Sequence, residues 1–75
     1  MPKIYLIKDL SQITGFSIYT LKFYLKIGLI KEIGRSPETN FRYFNRETVH
    51  ILKKIRAWRK ENKSIRQVKE FLKVK

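Results

Sequence analysis

A glycine between two short segments of helical hydrophobic spacing is the feature that most constrains this fold. Residues 7–14 carry apolar side chains three residues apart, as in a buried helical stripe, at Ile7, Leu10 and Ile13. Gly15 follows, and glycine adopts at little cost the left-handed conformation that ends a helix. Ser17 is a suitable N-cap for a second helix, predicted from Ile18 to Ile27 and ended by Gly28. Two short helices joined at a glycine are typical of the helix-turn-helix motif.

A turn-rich segment between two apolar runs predicts a β-hairpin directly after this motif. Residues 29–33 and 41–44 carry the apolar and aromatic side chains of strands, whereas residues 34–40 are almost entirely turn-forming types. A hairpin in this position is a wing. Before the first helix, the apolar run Ile4–Leu6 predicts a short edge strand.

Capping signals predict two further helices after the wing. Asn45 is a good N-cap for a helix from about Arg46 to Glu61, and Asn62 tolerates the left-handed conformation that ends it. Ser64 and Gln67 have the S-x-x-Q spacing of a capping box. Apolar side chains at helical spacing predict the buried faces: Val49, Ile51, Leu52, Ile55 and Trp58 in the first helix, and Ile65, Val68, Phe71 and Leu72 in the second.

The predicted fold class is mainly α, a winged helix-turn-helix with a short β-hairpin wing and a C-terminal helix pair. A chain of 75 residues forms one small domain at most. We therefore predict a single domain over residues 1–75, divided into a short strand at 1–6, the helix-turn-helix at 7–28, the wing at 29–44 and two helices at 45–75.

Composition excludes several classes of function. The chain has no cysteine and one histidine, which excludes disulfide frameworks, cysteine-bearing zinc sites and thiol catalysis and argues against histidine metal sites. The six acidic residues form no pair with a nucleophile or metal-ligand partner, so we expect no catalytic activity and no cofactor or metal. No apolar run is long enough for a membrane helix, and no signal-peptide pattern opens the chain, so a cytoplasmic, nucleoid-associated protein is expected.

The charge balance predicts a polyanionic partner. Lysine and arginine number 18 against 6 acidic residues, a net charge of +12, and residues 51–75 hold ten of these cations. At 43% apolar and 13% aromatic residues, the chain is too apolar for a disordered basic tail. A small folded domain with such a charge most often binds nucleic acid.

The outward side of the second helix is predicted to read a DNA groove. Leu21, Tyr24 and Gly28 should face the core, with the Tyr24 hydroxyl at its edge. The other positions are hydroxyl, aromatic or cationic, types that contact base edges, thymine methyl groups and phosphates. The predicted DNA-binding residues of this helix are Ser17, Tyr19, Thr20, Lys22, Phe23, Tyr24 and Lys26. Packing of Tyr19 and Phe23 against the wing or the C-terminal helices is the alternative, as is an ordinary solvated Lys22.

The wing and the junction of the last two helices supply the remaining candidates. Arg35 and Arg42 suit phosphate or minor-groove contact because the guanidinium fork is planar and preorganised. The predicted wing residues are Arg35, Asn40, Arg42 and Tyr43, with a core position as the alternative for Tyr43. At the junction, a capped helix N-terminus beside cations is a natural phosphate site, formed by Lys60, Lys63, Ser64 and Arg66. This interface requires Lys22 and Lys26 to be exposed on the same side as the Arg35–Arg42 loop.

Four motifs, in order along the chain, resemble the DNA-binding domain of MerR-type transcriptional regulators. They are T-G-F-S at Thr14–Ser17, T-L-K-F-Y at Thr20–Tyr24, I-G-L-I at Ile27–Ile30 and N-F-R-Y-F at Asn40–Phe44. The resemblance extends over about Ile4–Leu72. It implies a sequence-preferring regulator that docks on double-stranded DNA, with the second helix in the major groove and the wing on the backbone or minor groove. It also implies DNA contacts from the junction of the last helices.

The chain departs from the family pattern at several positions. Lys22-Phe23-Tyr24 stands where the family has Arg-Tyr-Tyr, and Leu25 replaces the acidic residue that follows. Asn40 and Asn62 replace a wing glycine and a junction glycine, whereas Arg42 keeps the wing arginine. The family's coiled-coil helix and effector domain have no counterpart here. We therefore expect either an isolated domain of a longer regulator or a short DNA-binding protein, with no coiled-coil dimerisation helix but a possible homodimer on a palindromic site.

Other functions are compatible with the same sequence. An architectural, excisionase-like factor in recombination or in phage or plasmid maintenance would bind several sites cooperatively and bend DNA. A protein-interaction or membrane-surface module would use the basic C-terminal helices. RNA binding is weaker, because no RNP-like or G-x-x-G element is present. Among these alternatives, the charge favours duplex DNA as the partner, and we expect no membrane partner.

Overall fold

A computed structural model of the chain describes residues 4–73. The elements in chain order are β1 Tyr5–Leu6, α1 Ile7–Thr14, α2 Ile18–Lys26, β2 Gly34–Arg35, β3 Arg42–Phe44, α3 Arg46–Lys60 and α4 Ile65–Lys73. The predicted fold class is confirmed: four helices and a small antiparallel sheet form a winged helix-turn-helix. Residues 1–3 of the predicted strand segment and residues 74–75 of the last helical segment lie outside the described residues.

The sheet ties the wing to the start of the first helix. Its strand order is β1-β3-β2, and both neighbouring pairs are antiparallel. Tyr5 and Leu6 of β1 lie opposite Phe44 and Tyr43, so β1 is an edge strand, as the sequence predicted. The chain continues from Leu6 directly into α1. The wing therefore shares a strand pair with the element that leads into the helix-turn-helix motif.

The predicted turn between α1 and α2 is confirmed in its details. Gly15 has φ 83°, and its N–H donates to the Ser11 carbonyl oxygen at 2.9 Å. Phe16 packs edge-on against Tyr24, with ring centroids 5.3 Å apart, and the guanidinium of Arg56 lies 5.5 Å from its ring centroid. The Phe16 ring therefore closes the turn from the α2 side while α3 supplies the cation above it.

The core draws on both halves of the chain. Its largest fully buried side chains are Leu10, Leu21, Phe44, Leu52, Ile55 and Val68. These six side chains come from α1, α2, β3, α3 and α4 in turn. Burial of apolar surface at about 25 cal/mol per Å² is the main stabilising term. The same burial fixes the wing strand β3 relative to α2.

The prediction of a strand over residues 29–33 is wrong. Leu29 and Ile30 are buried in the core, and the wing pairs as β2 only at Gly34–Arg35. The reason lies at the end of α2, where the Leu29 N–H donates to the Tyr24 carbonyl oxygen at 2.9 Å. That bond turns the two apolar side chains inward before the chain reaches the sheet, so that only Ile33 donates to β3, at the Tyr43 carbonyl oxygen.

Several predicted inward positions also differ. Ile13 is 44% exposed, and Thr14 is buried in its place, with its hydroxyl donating to the Leu10 carbonyl oxygen at 2.7 Å. Phe71 is 41% exposed, and its ring packs against that of Trp58, with ring centroids 5.0 Å apart. Buried positions on a helix are spaced alternately three and four residues apart. The prediction placed these residues inward by the spacing of three alone.

The helix ends follow the predicted caps to within one residue. Ile27 and Glu61 are the C-caps of α2 and α3 rather than their last residues. Asn45 caps α3 by accepting from the Thr48 N–H at 3.3 Å, and Asn62 has the expected left-handed φ of 64°. Gly28 has φ 83° but is exposed rather than facing the core, since a Cβ there would meet nothing within 4 Å.

Candidate nucleic-acid interface

The outward face of α2 carries exposed cations and aromatic rings. Lys22 and Lys26 are exposed, as the proposed interface requires. Tyr19 is 84% exposed, which leaves its ring unpacked against the wing or the C-terminal helices. Phe23 is 46% exposed and lines a cavity with Ile65 of α4, so the packing alternative is partly correct for Phe23.

The two hydroxyls at the start of α2 are paired with each other. Ser17 Oγ accepts from the Thr20 N–H at 3.0 Å and donates to Thr20 Oγ1 at 2.9 Å. The bond from the Thr20 N–H satisfies one of the amide groups that a helix N-terminus leaves without an intrahelical partner. Ser17 thus fixes the start of α2, while Thr20 keeps its own hydroxyl hydrogen for donation.

Tyr24 is the candidate that the structure withdraws from the surface. The whole residue is 3% exposed, so its ring belongs to the core, and the prediction of a direct DNA contact by Tyr24 conflicts with this burial. Burial raises the pKa of the Tyr24 hydroxyl, and the nearby positive charge of Arg59 offsets part of that rise. Tyr24 contributes packing beneath Phe16 and Phe23 instead of a polar contact.

The wing turn presents Asn40 and holds its two ends close together. The Ser36 N–H donates to the Phe41 carbonyl oxygen at 2.9 Å, and the Asn40 N–H donates to the Ser36 carbonyl oxygen at 2.7 Å. Asn40 adopts φ 61°, as expected for the residue that replaces a wing glycine. Tyr43 is half-buried, and its ring lies over Gly34, where an added Cβ would lie 2.6 Å from the Tyr43 Cζ.

The two wing arginines lie opposite each other and share one carboxylate. Arg35 and Arg42 are register partners in the β2–β3 pair. Glu32 Oε2 accepts from Arg35 Nε, and Glu32 Oε1 accepts from Arg42 Nε, both at 2.8 Å. The hydrogen bond from Arg35, followed by the charges of Arg35 and Arg42, holds the pKa of Glu32 below its usual range. Glu32 therefore remains ionised at neutral pH.

A cationic groove joins α2 to the wing. It has a volume of about 650 Å³, and its charged lining consists of Lys22, Lys26, Lys31, Glu32 and Arg42. The helix and wing cations thus lie on the same side of the molecule. Because Glu32 is the acidic member of this lining, the groove has a net positive charge suited to a phosphate backbone.

A second cavity extends the same surface and contains residues that sequence reasoning missed. Lys8, Phe41, Lys22 and Arg42 line this cavity of about 350 Å³, together with Asn40 and the apolar floor of β1 and α1. Phe41 is 59% exposed. The alternation of the wing strand did not identify which aromatic is exposed, and nothing local in the sequence places Lys8 beside the wing.

The structure places one residue of the predicted junction site next to α2. Arg66 lines a cavity with Phe23 and is therefore next to α2, whereas Lys60, Lys63 and Ser64 line none of these three cavities. Ser64 forms the predicted capping box: Gln67 Oε1 accepts from the Ser64 N–H at 2.9 Å, and Ser64 Oγ accepts from the Gln67 N–H at 3.2 Å. Its hydroxyl oxygen thus caps α4 as an acceptor.

Two further observations concern residues 4–73. No group of three or more histidine, cysteine, aspartate or glutamate side chains in this range could hold a metal ion. None of the helices described combines the length and the apolar character needed to cross a membrane.

The two-helix motif, the wing and the cationic groove between them define a winged helix-turn-helix protein. The sequence profile of the family described as MerR HTH family regulatory protein matches residues 5–75. The chain belongs to this family, which confirms the resemblance noted in its motifs.

Two solved structures share the fold. A MerR family transcriptional regulator from Bacillus cereus superposes with a TM-score of 0.87 at 17% sequence identity, over 93% of this chain and 52% of its own. HiNmlR, a MerR family regulator lacking the sensor domain and bound to promoter DNA, superposes with a TM-score of 0.80 at 28% identity, over 92% of this chain and 52% of its own. The chain therefore spans about half the length of each. No curated protein matches the chain in sequence.

Proposed function

We propose that this chain is the DNA-binding part of a transcriptional regulator and prefers particular double-stranded sequences. The observation that carries the proposal is the groove between α2 and the wing, where Lys22, Lys26, Lys31 and Arg42 converge. A regulator of the same family and fold, HiNmlR, is bound to promoter DNA in its own structure. Such a function places the chain with the chromosome in the cytoplasm.

In this proposal α2 enters the major groove. Its nine residues span about 13 Å, and a helix with its side chains is about 10–12 Å across, which matches a major groove about 12 Å wide. Lys22 donates to guanine O6 or N7, and Tyr19, with its ring almost fully exposed, contacts base or sugar edges. Thr20 and Lys26 contact the flanking phosphates, and Ser17 holds the helix start in place.

In the same proposal, the wing contacts the adjacent DNA backbone. Arg35 and Arg42 donate to phosphate oxygens, while Asn40 and the exposed Phe41 approach the sugar edge beside them. Contacts of this kind fix the register of the protein on the duplex without reading bases. Arg66, beside Phe23 on the other side of α2, supplies a further phosphate contact, and Lys60, Lys63 and Ser64 are peripheral to the groove.

Selection of bound duplexes from a random pool tests this function. We expect one enriched motif, and Lys22→Ala should relax the base preference at one position by about 1–3 kcal/mol. Arg42→Ala should weaken binding to all sequences about equally. The mass of the complex gives the number of copies per site, and one copy on one half-site should bind with modest affinity. An unenriched pool, together with tight binding to anionic vesicles, would exclude this function.

A further inference from the structure

The two wing arginines occupy positions that would otherwise repel each other. Arg35 and Arg42 are directly opposite in the antiparallel β2–β3 pair, and like charges in such positions destabilise a sheet. The carboxylate of Glu32 lies between them and bonds both Nε atoms at 2.8 Å. Glu32 belongs to the segment before β2, so these two bonds also join that segment to both strands of the wing.

The geometry of these bonds leaves the binding ends of both arginines free. A guanidinium has five N–H donors in a planar fork, of which the Nε–H is one. Because Glu32 contacts each arginine through Nε, the terminal amino groups remain for a second anion. The arginine side chains are 44% and 41% exposed and that of Glu32 is 27% exposed, so the solvent-facing part of the trio is mainly guanidinium.

The carboxylate also demonstrates what the arginine pair accommodates. One anion with two oxygen atoms bridges both guanidinium groups. A phosphodiester likewise has two unesterified oxygen atoms, and arginine forks match phosphate geometry. A phosphate approaching from solvent can therefore bridge the terminal amino groups while Glu32 keeps the Nε side.

We propose that Glu32 is a positioning residue that holds Arg35 and Arg42 as a paired donor for one DNA backbone phosphate. The inference rests on the proposed function, because it names the residue that prepares the wing for DNA. Glu32 is ionised at neutral pH, and its two hydrogen bonds of 2.8 Å hold the trio together. The opposite role, a carboxylate that competes with phosphate for the arginines, predicts the reverse effect of removing its charge.

A pair of charge-matched variants separates these roles. Glu32→Gln removes the carboxylate between the arginines, and Glu38→Gln removes one negative charge from the exposed wing turn. Both variants raise the net charge by one, so a general electrostatic gain is common to both. We expect Glu32→Gln to bind duplex DNA about fivefold more weakly than Glu38→Gln, the loss expected when one charge-assisted hydrogen bond is no longer preorganised.

Three readouts distinguish positioning from a general structural effect. The weakening should be equal for the selected motif and an unrelated duplex, because phosphate contacts carry no base information. The slope of log affinity against log salt should become shallower by up to about 0.9, the contribution of one phosphate. In a background carrying Arg35→Ala and Arg42→Ala, Glu32→Gln and Glu38→Gln should bind duplex DNA equally well. Circular dichroism and thermal melting check that each variant is folded.

The outcomes are decisive in both directions. A fivefold difference that disappears without the arginines supports the proposal. Affinity of Glu32→Gln equal to or tighter than that of Glu38→Gln overturns it, as does an effect that persists after both arginines are removed. If the unaltered protein does not bind duplex DNA at all, the proposed function fails and the inference fails with it.

Discussion

Salt dependence provides the sharpest quantitative test of the interface. Six cations are placed to meet backbone phosphates at the groove, the adjoining cavities or the outer wing: Lys8, Lys26, Lys31, Arg35, Arg42 and Arg66. Arg35 and Arg42, joined by Glu32, meet one phosphate between them, which leaves about five phosphates to be neutralised. At about 0.9 per phosphate, the slope of log affinity against log salt should be about −4.5. Affinity should then fall about 500-fold between about 50 and 200 mM salt.

Matched lysine variants assign this slope to the groove. Lys26 lines the groove, whereas Lys54 is exposed on α3 and lines none of the cavities described here. Lys26→Ala should make the slope shallower by about 0.9, whereas Lys54→Ala, with the same loss of charge, should leave it nearly unchanged. Fluorescence anisotropy with a labelled duplex at several salt concentrations measures both. A slope shallower than about −3, or equal effects of the two variants, would refute the assignment.

Stability gives three further predictions. Gly28→Ala should lower the free energy of unfolding by about 1 kcal/mol, because alanine is strained in the left-handed backbone conformation. Gly15→Ala should lower it further, since its Cβ would also lie 3.2 Å from Arg56 Cζ. Equal losses in urea unfolding would contradict this ranking. Leu52→Ala, at a fully buried position, should lower the free energy of unfolding by about 2–5 kcal/mol, and a melting temperature unchanged by this substitution would count against the described core. Burial raises the pKa of the Tyr24 hydroxyl. The stability that neutral Tyr24 contributes is therefore complete below the ordinary tyrosine pKa and is lost as the pH rises through the raised value. Tyr24→Phe should reduce this loss of stability at alkaline pH, measured as urea midpoints between about pH 8 and 11.

The helix boundaries could be predicted because their determinants are local. Ser17, Asn45 and Ser64 each bond a backbone N–H three residues later in the chain. Gly15 and Asn62 adopt the left-handed backbone that their residue types favour. Such signals need no knowledge of tertiary contacts, so the sequence located the helix boundaries to within one residue, except for the end of α4, for which no cap was predicted.

The segment before the wing could not be predicted in the same way. A short apolar run such as Leu29–Ile33 has the same composition in a strand and in a connection that packs into the core. What decides between them is the bond from the Leu29 N–H to the Tyr24 carbonyl oxygen, which directs the side chains of Leu29 and Ile30 inward. That bond depends on how α2 ends, and hydrophobic periodicity carries no information about it.

The candidate interface likewise contains residues that the sequence could place and residues that it could not. Exposure of Lys22 and Lys26 follows from helical periodicity once Leu21 is assigned to the core. The bond between Glu32 and Arg42, by contrast, joins residues ten positions apart and exists only because β2 and β3 pair in one register. A shift of one residue would turn the side chains of the wing to the other face of the sheet. The position of the Glu32 carboxylate between the arginines could therefore not be predicted from the sequence.

The relative position of α2 and the wing is set by the core rather than by the interface itself. Leu21 on the inner side of α2 and Phe44 at the end of β3 are both fully buried in one core cluster. Phe44 also pairs with Tyr5 of β1, and β1 leads directly into α1. Lys22 follows Leu21 by one residue, and Arg42 precedes Phe44 by two. The distance between the helix cation and the wing cation is thus set by buried side chains of the same elements, so the core gives the groove its shape.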